Sequence, residues 1–170
     1  MSRAQDLVSK LNAKSINAAE ADYNACGYHV EIQMKHDQVR DLAQSMLDDG
    51  FFLDFVTAVH VTPQFQVVYQ FANVDEPCRV NAKALATEDG SIPTISDIYH
   101  GANWHERETH DFYGLTFTDH PDLRLLLLAE GDEDLKPLLK NETILKDLDG
   151  ITRKAAEETE KKAKKSKEDD

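Results

Sequence analysis

The residues of this chain that could carry chemistry are concentrated between positions 101 and 130. This stretch, GANWHERETHDFYGLTFTDHPDLRLLLLAE, contains the single tryptophan, three of the seven histidines and a run of alternating charges. Within it, His105 and Glu106 begin as the zinc-binding HExxH motif does. That motif needs its second histidine four positions after the first, so that both rings face one metal. The next histidine is His110, five positions on and roughly 140° around a helix, which argues against a zinc site.

General acid–base chemistry is a second possibility, based on Glu106, Glu108 and Asp111 in the same run. Such catalysis needs two carboxyl groups in unlike environments within one pocket. The sequence shows no pocket, and the adjacent Arg107 would neutralise a neighbouring carboxylate more readily than tune its pKa. A stand-alone carboxylate-based enzyme therefore stays as an alternative of a different class.

The third interpretation is that the charged segment anchors the domain or forms an interface with a partner. Charge runs of mixed sign usually form solvated faces, but this run adjoins Trp104, Phe112 and Tyr113. Aromatic side chains beside an arginine are typical of interface cores. We therefore favour an interface element, in which Arg107 and Asp111 form an ion pair one helical turn apart.

A helix over residues 104–113 is the element predicted to position these side chains. Asn103 is expected to cap its N-terminus, and Gly114 is expected to end it. The side chains predicted to cluster on adjoining faces of this helix are Trp104, Glu108, Asp111 and Phe112.

The HPDLR segment, residues 120–124, follows this helix. Its proline favours an extended backbone at the preceding histidine, and the segment leads into a predicted strand over 125–128. We expect Arg124 to reach the carboxylate of Glu108 or Asp111 and to fix the helix to that strand. A ligand contact by the same segment is the other interpretation left open.

The rest of the sequence predicts an α+β domain. Helical spacing of apolar residues indicates helices over 2–13 and 37–49, the second ended by Gly50. The connection between the two middle strands is too short for a crossover helix, so these strands form a hairpin and the sheet is mainly antiparallel with flanking helices. The predicted strands are residues 28–34, 51–61, 65–71 and 79–86.

Length and charge limit the architecture and the partners. The chain has 170 residues, 19 Lys+Arg against 32 Asp+Glu and a net charge of −13, which suits one domain and disfavours nucleic acid as a partner. We predict that the domain covers residues 1–150. After Ile151 there is no aromatic or large aliphatic residue, so residues 151–170 are predicted to be a charged, disordered tail.

Cofactor and membrane signals are sparse. The two thiols, Cys26 and Cys78, cannot alone hold an iron–sulfur cluster or a structural zinc ion, and two buried free thiols are expected. No P-loop or GxGxxG motif is present. The longest aliphatic run, residues 125–129, is too short to span a bilayer. With no signal peptide visible, a cytoplasmic location is expected.

The string ERETHDFYGLTF followed by HPDLR resembles the signature of the respiratory-chain NADH dehydrogenase thirty-kilodalton subunit family. In bacteria this family forms the C component of NADH–quinone oxidoreductase (complex I), and it has counterparts in membrane-bound energy-converting nickel–iron hydrogenases. The resemblance covers roughly residues 30–140. The positions that carry it, or that form the predicted interface, are Trp104, Glu106, Arg107, Glu108, Asp111, Phe112, Gly114, Phe117, His120, Pro121, Asp122, Leu123 and Arg124.

The resemblance implies a structural subunit without a redox centre, with no catalytic, cofactor-binding or metal-ligating residue of its own. In the family such a subunit packs on the large quinone-site subunit and on the small iron–sulfur subunit of the peripheral arm, on the cytoplasmic side of the membrane. NADH, quinone and the iron–sulfur clusters would then be bound by partner subunits. The alternative is the equivalent hydrogenase subunit, whose partner holds a nickel–iron site.

The sequence departs from the family pattern in two places. Members often have a second arginine directly after the HPDLR arginine, where this chain has Leu125. Many also carry a His-Pro-Leu-Arg-Lys-Asp stretch further on, which residues 136–141 replace with Lys-Pro-Leu-Leu-Lys-Asn. Both departures remove cationic contacts, and they bear on which assembly the protein joins.

Overall fold

The structure, a computed structural model, describes residues 2–140 and the main chain of residues 146 and 147. A short 3₁₀ helix, His36–Gln38, leads into the third α-helix. In chain order the elements are α1 (Arg3–Ala13), β1 (Asn17–Glu20), α2 (Tyr23–Cys26), β2 (Val30–Lys35), α3 (Val39–Asp48), β3 (Phe52–Thr62), β4 (Phe65–Asn73), β5 (Cys78–Leu85), β6 (Ser91–Pro93), α4 (Ala102–Tyr113), β7 (Thr116–Thr118) and β8 (Lys146–Asp147).

Six of the strands form one sheet in the order β1-β2-β5-β4-β3-β8. The pairs β1–β2, β5–β4 and β4–β3 are antiparallel, whereas β2–β5 and β3–β8 are parallel. Strands β6 and β7 form a separate parallel pair. The predicted α+β fold with a mainly antiparallel sheet and flanking helices is confirmed, as is the central hairpin, which is β3–β4.

The core lies on one face of the sheet because the strands alternate in register. Ile32 of β2 is level with Ala82 of β5, which is level with Tyr69 of β4 and then with Val56 of β3. All four are at most 3% exposed. They pack in one hydrophobic cluster with the buried side of α3, whose spacing of apolar residues follows the helical period.

The start of α4 differs from the prediction. The helix begins at Ala102, with Gly101 as N-cap, and Asn103 lies inside its first turn instead of capping it. The reason is that a turn precedes the helix, so main-chain carbonyls accept from its first N–H groups. Ala102 N–H donates to Tyr99 O at 2.8 Å, and Asn103 N–H donates to His100 O at 3.3 Å.

Three further expectations have different outcomes. Cys26 and Cys78 are free thiols, but only Cys78 is buried, so the expectation of two buried thiols was wrong for Cys26. Residues 125–128 do not form a strand, because three of their N–H groups bind the carboxylate of Asp111 in α4. The predicted tail over residues 151–170 lies outside the described residues.

Gly114 ends α4 as predicted, with a left-handed backbone at φ +78°. Because a Cβ atom is strained in this region, we expect Gly114→Ala to lower the free energy of unfolding by about 1 kcal/mol in urea denaturation. Gly101→Ala is the matched control, since Gly101 has φ −63° and no atom within 4 Å of a Cβ at that site. Equal losses in the two variants would contradict this explanation.

Candidate functional site: the buried motif of helix α4

Helix α4 turns two carboxyl groups toward the interior of the domain. Glu106 and Asp111 are both 0% exposed, and Thr109 between them is also buried. The helix packs mainly against β3. Trp104 of the same helix remains 65% exposed. Fully buried carboxyl groups are rare unless they are hydrogen-bonded or paired, so the partners of each group explain why the fold tolerates it.

The Glu106 carboxyl group is held by the loop that follows β6. Its Oε1 accepts the Ile95 N–H at 2.9 Å, and its Oε2 accepts the hydroxyl of Thr94. Thr94 Oγ1 also lies 2.9 Å from Ser96 Oγ. The loop is fixed in turn by Arg40 of α3, which donates to Thr94 O at 2.7 Å. Glu106 therefore joins α4 to the loop that α3 also holds.

Burial dominates the acid–base behaviour of Glu106. Desolvation raises its pKa to about 7, and Asp97 adds to the rise, while its hydrogen bonds and the charge of Arg40 oppose it. His120 Nε2 lies 3.7 Å from Glu106 Oε2, and both side chains are fully buried. Burial also lowers the pKa of His120. Both shifts favour the uncharged forms, so the two groups are not a permanent ion pair at neutral pH.

The orientation of His120 is set by its own segment. His120 Nδ1 accepts the Asp122 N–H at 3.1 Å, so the neutral ring carries its proton on Nε2. That nitrogen is buried and has no hydrogen-bond partner within residues 2–140. It is directed at the carboxyl group of Glu106, which places the HPDLR segment against the buried side of α4.

Asp111 explains the conformation of residues 125–128. Its Oδ2 accepts the N–H groups of Leu126, Leu127 and Leu128 at 2.9, 2.8 and 3.2 Å. Successive residues of a strand point their N–H groups to opposite sides, so three consecutive donors on one oxygen require a turn. Burial alone would raise the pKa of Asp111, but these three bonds outweigh it and lower the pKa.

Arg107 binds the same segment through its carbonyl groups, whereas Asp111 binds its N–H groups. Its Nε donates to Arg124 O at 2.9 Å, and its Nη2 donates to Leu125 O at 2.7 Å. The predicted ion pair between Arg107 and Asp111 is therefore wrong, because each side chain binds the main chain of residues 124–128 instead. We refer to Arg107, Asp111 and residues 124–128 together as the clasp.

Arg124 does not reach α4. Its guanidinium forms a bidentate pair with Asp122, with both distances 2.7 Å, and its side chain is 84% exposed. The expectation that Arg124 would bind Glu108 or Asp111 was wrong, because the turn of the clasp directs this side chain to solvent. The pair with Arg124 lowers the pKa of Asp122 to about 2.

The side chains predicted to cluster on adjoining faces of α4 lie in different surroundings in the structure. Glu108 and Phe112 line a groove of about 300 Å³ between β3 and α4. Asp111 points to the interior instead, and Trp104 lies on the surface. Tyr113 packs edge-on against Phe65, with ring centroids 6.1 Å apart. Of the four side chains predicted to cluster on α4, Trp104 is thus the exposed one, whereas Glu108 and Phe112 are partly buried.

The geometry does not assemble the two catalytic arrangements considered from the sequence. His105 lines the groove beside β3, whereas His110 lines a different cavity, and residues 2–140 contain no group of three potential ligands that could hold a metal. Glu106 and Asp111 have opposite pKa shifts, but both are fully buried and line neither cavity. Their described partners are the chain's own loops.

The contribution of Thr94, Ile95 and Ser96 to this site was not predicted from the sequence. The available signal was a threonine and a serine flanking a buried isoleucine directly after Pro93. Short hydroxyl side chains at such positions favour local bonds to backbone and side-chain groups in turns. Nothing in the sequence connected this turn to Glu106, eleven positions beyond Ile95.

Residues 32–147 match the family model described as respiratory-chain NADH dehydrogenase, 30 Kd subunit. The chain belongs to this family. The 30 Kd subunit family is one component of a multi-subunit respiratory enzyme, so its members have partner subunits. The match contains all of α4, the clasp and the HPDLR segment, and it confirms the resemblance carried by the ERETHDFYGLTF motif.

Relatives of this 30 Kd family member include the C subunit of an NADH-quinone oxidoreductase from Maricaulis maris, which is 30% identical over 83% of this chain and 74% of its own length. The C subunit of the same enzyme from Azorhizobium caulinodans is 34% identical over 81% of this chain and 67% of its own length. A mitochondrial NADH-ubiquinone oxidoreductase 30.4 kDa subunit from Neurospora crassa is 42% identical, but the match spans 46% of this chain and 27% of that protein.

The fold of this 30 Kd family member also occurs in one protein of the membrane-bound sulfane sulfur reductase, described as an archaeal respiratory membrane complex. The TM-score is 0.68 at 21% identity, over 88% of this chain and 89% of that one. At this identity the likeness establishes the shared fold alone. None of the helices in the described residues is long and apolar enough to cross a membrane.

Proposed function

We propose that this chain is a non-redox structural subunit in the peripheral arm of an NADH–quinone oxidoreductase of the complex I type. In this role it holds the quinone-site and iron–sulfur subunits in place, so that electron transfer between them is coupled to cation translocation. The protein itself transfers no electron. NADH, quinone and the iron–sulfur clusters are bound by the partner subunits.

One observation carries the proposal: the charged groups of the family motif bind the chain's own backbone. Arg107 and Asp111 close the clasp, and Glu106 holds the loop after β6. A catalytic carboxyl group needs contact with substrate or water, which 0% exposure denies to both Glu106 and Asp111. The motif therefore rigidifies one surface, and a rigid surface is what a scaffold contributes.

The exposed face of α4 is the part of this surface that we assign to a partner. Trp104 is 65% exposed, although tryptophan combines a large apolar area with one polar atom and is favoured at interface centres. We propose that it contacts the large quinone-site subunit or the small iron–sulfur subunit. Peripheral attachment to the cytoplasmic side of the membrane, through the complex, follows from the same assignment.

Affinity purification of the tagged full-length protein from gently solubilised membranes of its native host tests this function. We expect mass spectrometry to identify iron–sulfur, large quinone-site and membrane subunits in the eluate. Nickel and hydrogenase maturation partners in their place would assign the protein to an energy-converting hydrogenase. Recovery of the protein alone, as a soluble monomer, would refute the scaffold role and return attention to the carboxylate-based enzyme.

A variant pair refines the same experiment. Trp104→Ala should reduce recovery of the partner subunits several-fold without lowering the melting temperature, because the side chain makes little contact within the domain. Tyr23→Ala is the matched control, since Tyr23 is an aromatic residue that is 45% exposed on a different helix. Equal recovery with the two variants would remove Trp104 from the interface.

A further inference from the structure

A cavity beside the clasp is lined by charged side chains of both signs and by leucines. It occupies about 630 Å³, and its walls include the cationic side chains of Arg107, Arg124 and Lys136. The whole chain, by comparison, has a net charge of −13. Two acidic side chains, Glu130 and Glu133, also reach this cavity. The wall thus combines three cationic side chains with two acidic ones, and one of the cations, Arg124, is already paired with Asp122.

Arg107 presents a prepared binding group in this wall. Its Nε and Nη2 atoms are fixed by the carbonyl groups of Arg124 and Leu125, which carry no net charge. Within the described residues its Nη1 makes no hydrogen bond, and no carboxylate forms a salt bridge with its guanidinium. An arginine held by two backbone bonds has already lost most of its side-chain freedom, so a carboxylate that binds it loses less entropy.

Lys136 and Glu133 are the next two charged side chains of the cavity. Lys136 forms no salt bridge with any of residues 2–140. The aliphatic part of its side chain packs over Gly114. The carboxylate of Glu133 is hydrogen-bonded within its own turn, because its Oε1 accepts the Gly131 N–H at 3.2 Å. Neither Arg107 nor Lys136 forms a salt bridge with a carboxylate of the described residues, although the charge of Lys136 contributes to lowering the pKa of Glu133.

The remaining wall consists of His110 and three leucines. Leu123, Leu125 and Leu128 line the cavity, and Leu127, which precedes Leu128 in the chain, is 58% exposed. A cavity with a leucine floor and a cationic wall matches a ligand that has one carboxylate and one adjacent apolar side chain. The guanidinium of Arg107, bound to two carbonyl groups and to no carboxylate of the described residues, favours an acidic occupant, and the apolar floor favours a peptide over a small inorganic anion.

We propose that this cavity receives an acidic segment of a partner subunit. A side-chain carboxylate binds Arg107 and Lys136, and a flanking aliphatic residue packs on Leu123, Leu125 and Leu128. The inference rests on the proposed function, because it requires the protein to be assembled with other subunits. It adds to that function the position of a contact and the chemistry of the segment that makes it.

Site-directed photo-crosslinking tests the occupant directly. The photoreactive residue p-benzoylphenylalanine would replace Leu127 in the full-length protein, and the complex would be purified from the native host after irradiation. We expect the crosslinked peptide to come from another subunit and to contain Asp or Glu beside an aliphatic residue. The same residue placed at Lys35, which is exposed at the end of β2, should not capture that peptide.

Other occupants would overturn the proposal. These are crosslinks to a basic segment, to lipid, or to residues 141–170 of this protein, and the absence of any product while the protein co-purifies stoichiometrically. In each case the proposed function would stand and only the acidic contact would fall. If the protein co-purifies with no subunit, both the function and the contact are refuted.

A charge reversal provides an independent readout. Lys136→Glu should reduce the subunits retained in 0.1–0.5 M NaCl about fivefold, as expected for a ~1 kcal/mol ion pair at a protein interface. Lys35→Glu, the control, should retain them as the wild type does. Equal loss in the two variants, or no loss in either, contradicts the proposal. Unchanged thermal melting of Lys136→Glu establishes that the variant is folded.

Discussion

Replacing Asp111 by alanine is expected to lower the free energy of unfolding by about 3–4 kcal/mol. The change removes the carboxylate oxygen that accepts the N–H groups of Leu126, Leu127 and Leu128. Hydrogen bonds to a charged acceptor are stronger than neutral ones, and the donors lose their shared partner. Stabilities of small domains are about 5–15 kcal/mol, so the loss is a large fraction of the total. Chemical denaturation monitored by circular dichroism measures it.

Two further variants distinguish the stabilising effect of the clasp from a general effect of removing a negative charge. Asp111→Asn keeps an oxygen acceptor but loses the negative charge, so it should be less destabilising than the alanine variant. Asp122→Asn removes an acidic side chain that forms a salt bridge with the exposed Arg124, and it should leave the denaturation midpoint nearly unchanged. If Asp111→Ala is no more destabilising than Asp122→Asn, the clasp does not stabilise the fold.

Glu106→Gln is expected to change how stability depends on pH. Burial raises the pKa of Glu106 in the folded protein to about 7, above the value near 4.3 of an unperturbed glutamate. The folded state therefore binds more protons than the unfolded state between these two values. By linkage, Glu106 makes the wild type less stable as the pH rises through this window, by about 4 kcal/mol in total.

The glutamine variant lacks this titration but keeps the shape of the side chain. Its stability relative to the wild type should therefore increase from pH 4.5 to pH 8 and then level off. His120 acts in the opposite direction, because its lowered pKa makes the folded state more stable as the pH rises through its titration. The difference between variant and wild type removes most of this contribution, since His120 is present in both.

Urea denaturation at several pH values measures the effect, and Glu108→Gln is the control. Glu108 lies on the same helix, but it lines the groove beside β3 instead of the buried face. Its variant should follow the pH dependence of the wild type. A constant difference between Glu106→Gln and wild type from pH 4.5 to pH 8 would show that Glu106 is ionised throughout this range in the folded protein.

Local sequence patterns predicted the elements and the family well. Alternation over residues 65–71 and the short connection before it predicted the β3–β4 hairpin, and helical spacing with Gly50 predicted α3. These predictions succeed because side-chain periods of 2 and 3.6 residues are local properties of the backbone. The ERETHDFYGLTF and HPDLR motifs identified the family, which the match over residues 32–147 confirmed.

Two of the failed predictions share a cause. Residues 125–128 have the composition of a strand, yet three of their N–H groups converge on Asp111. The charges of Arg107 and Asp111 fit an ion pair within the helix, yet each binds main-chain atoms far along the sequence, in the segment that follows β7. Composition measures what a segment prefers in isolation, and a buried carboxylate that needs donors overrides that preference.

The sequence by itself determined the α+β architecture, the approximate positions of α1, α3, α4 and the strands β2–β5, and membership of the family, because periodicity, turn residues and motif spacing are local properties. Only the tertiary structure decided what the motif residues do. It buried Glu106 against His120, used Asp111 and Arg107 to hold residues 124–128, and left Trp104 at the surface. The physical reason is that desolvation and hydrogen-bond satisfaction depend on which distant segments meet, and folding alone brings those segments together.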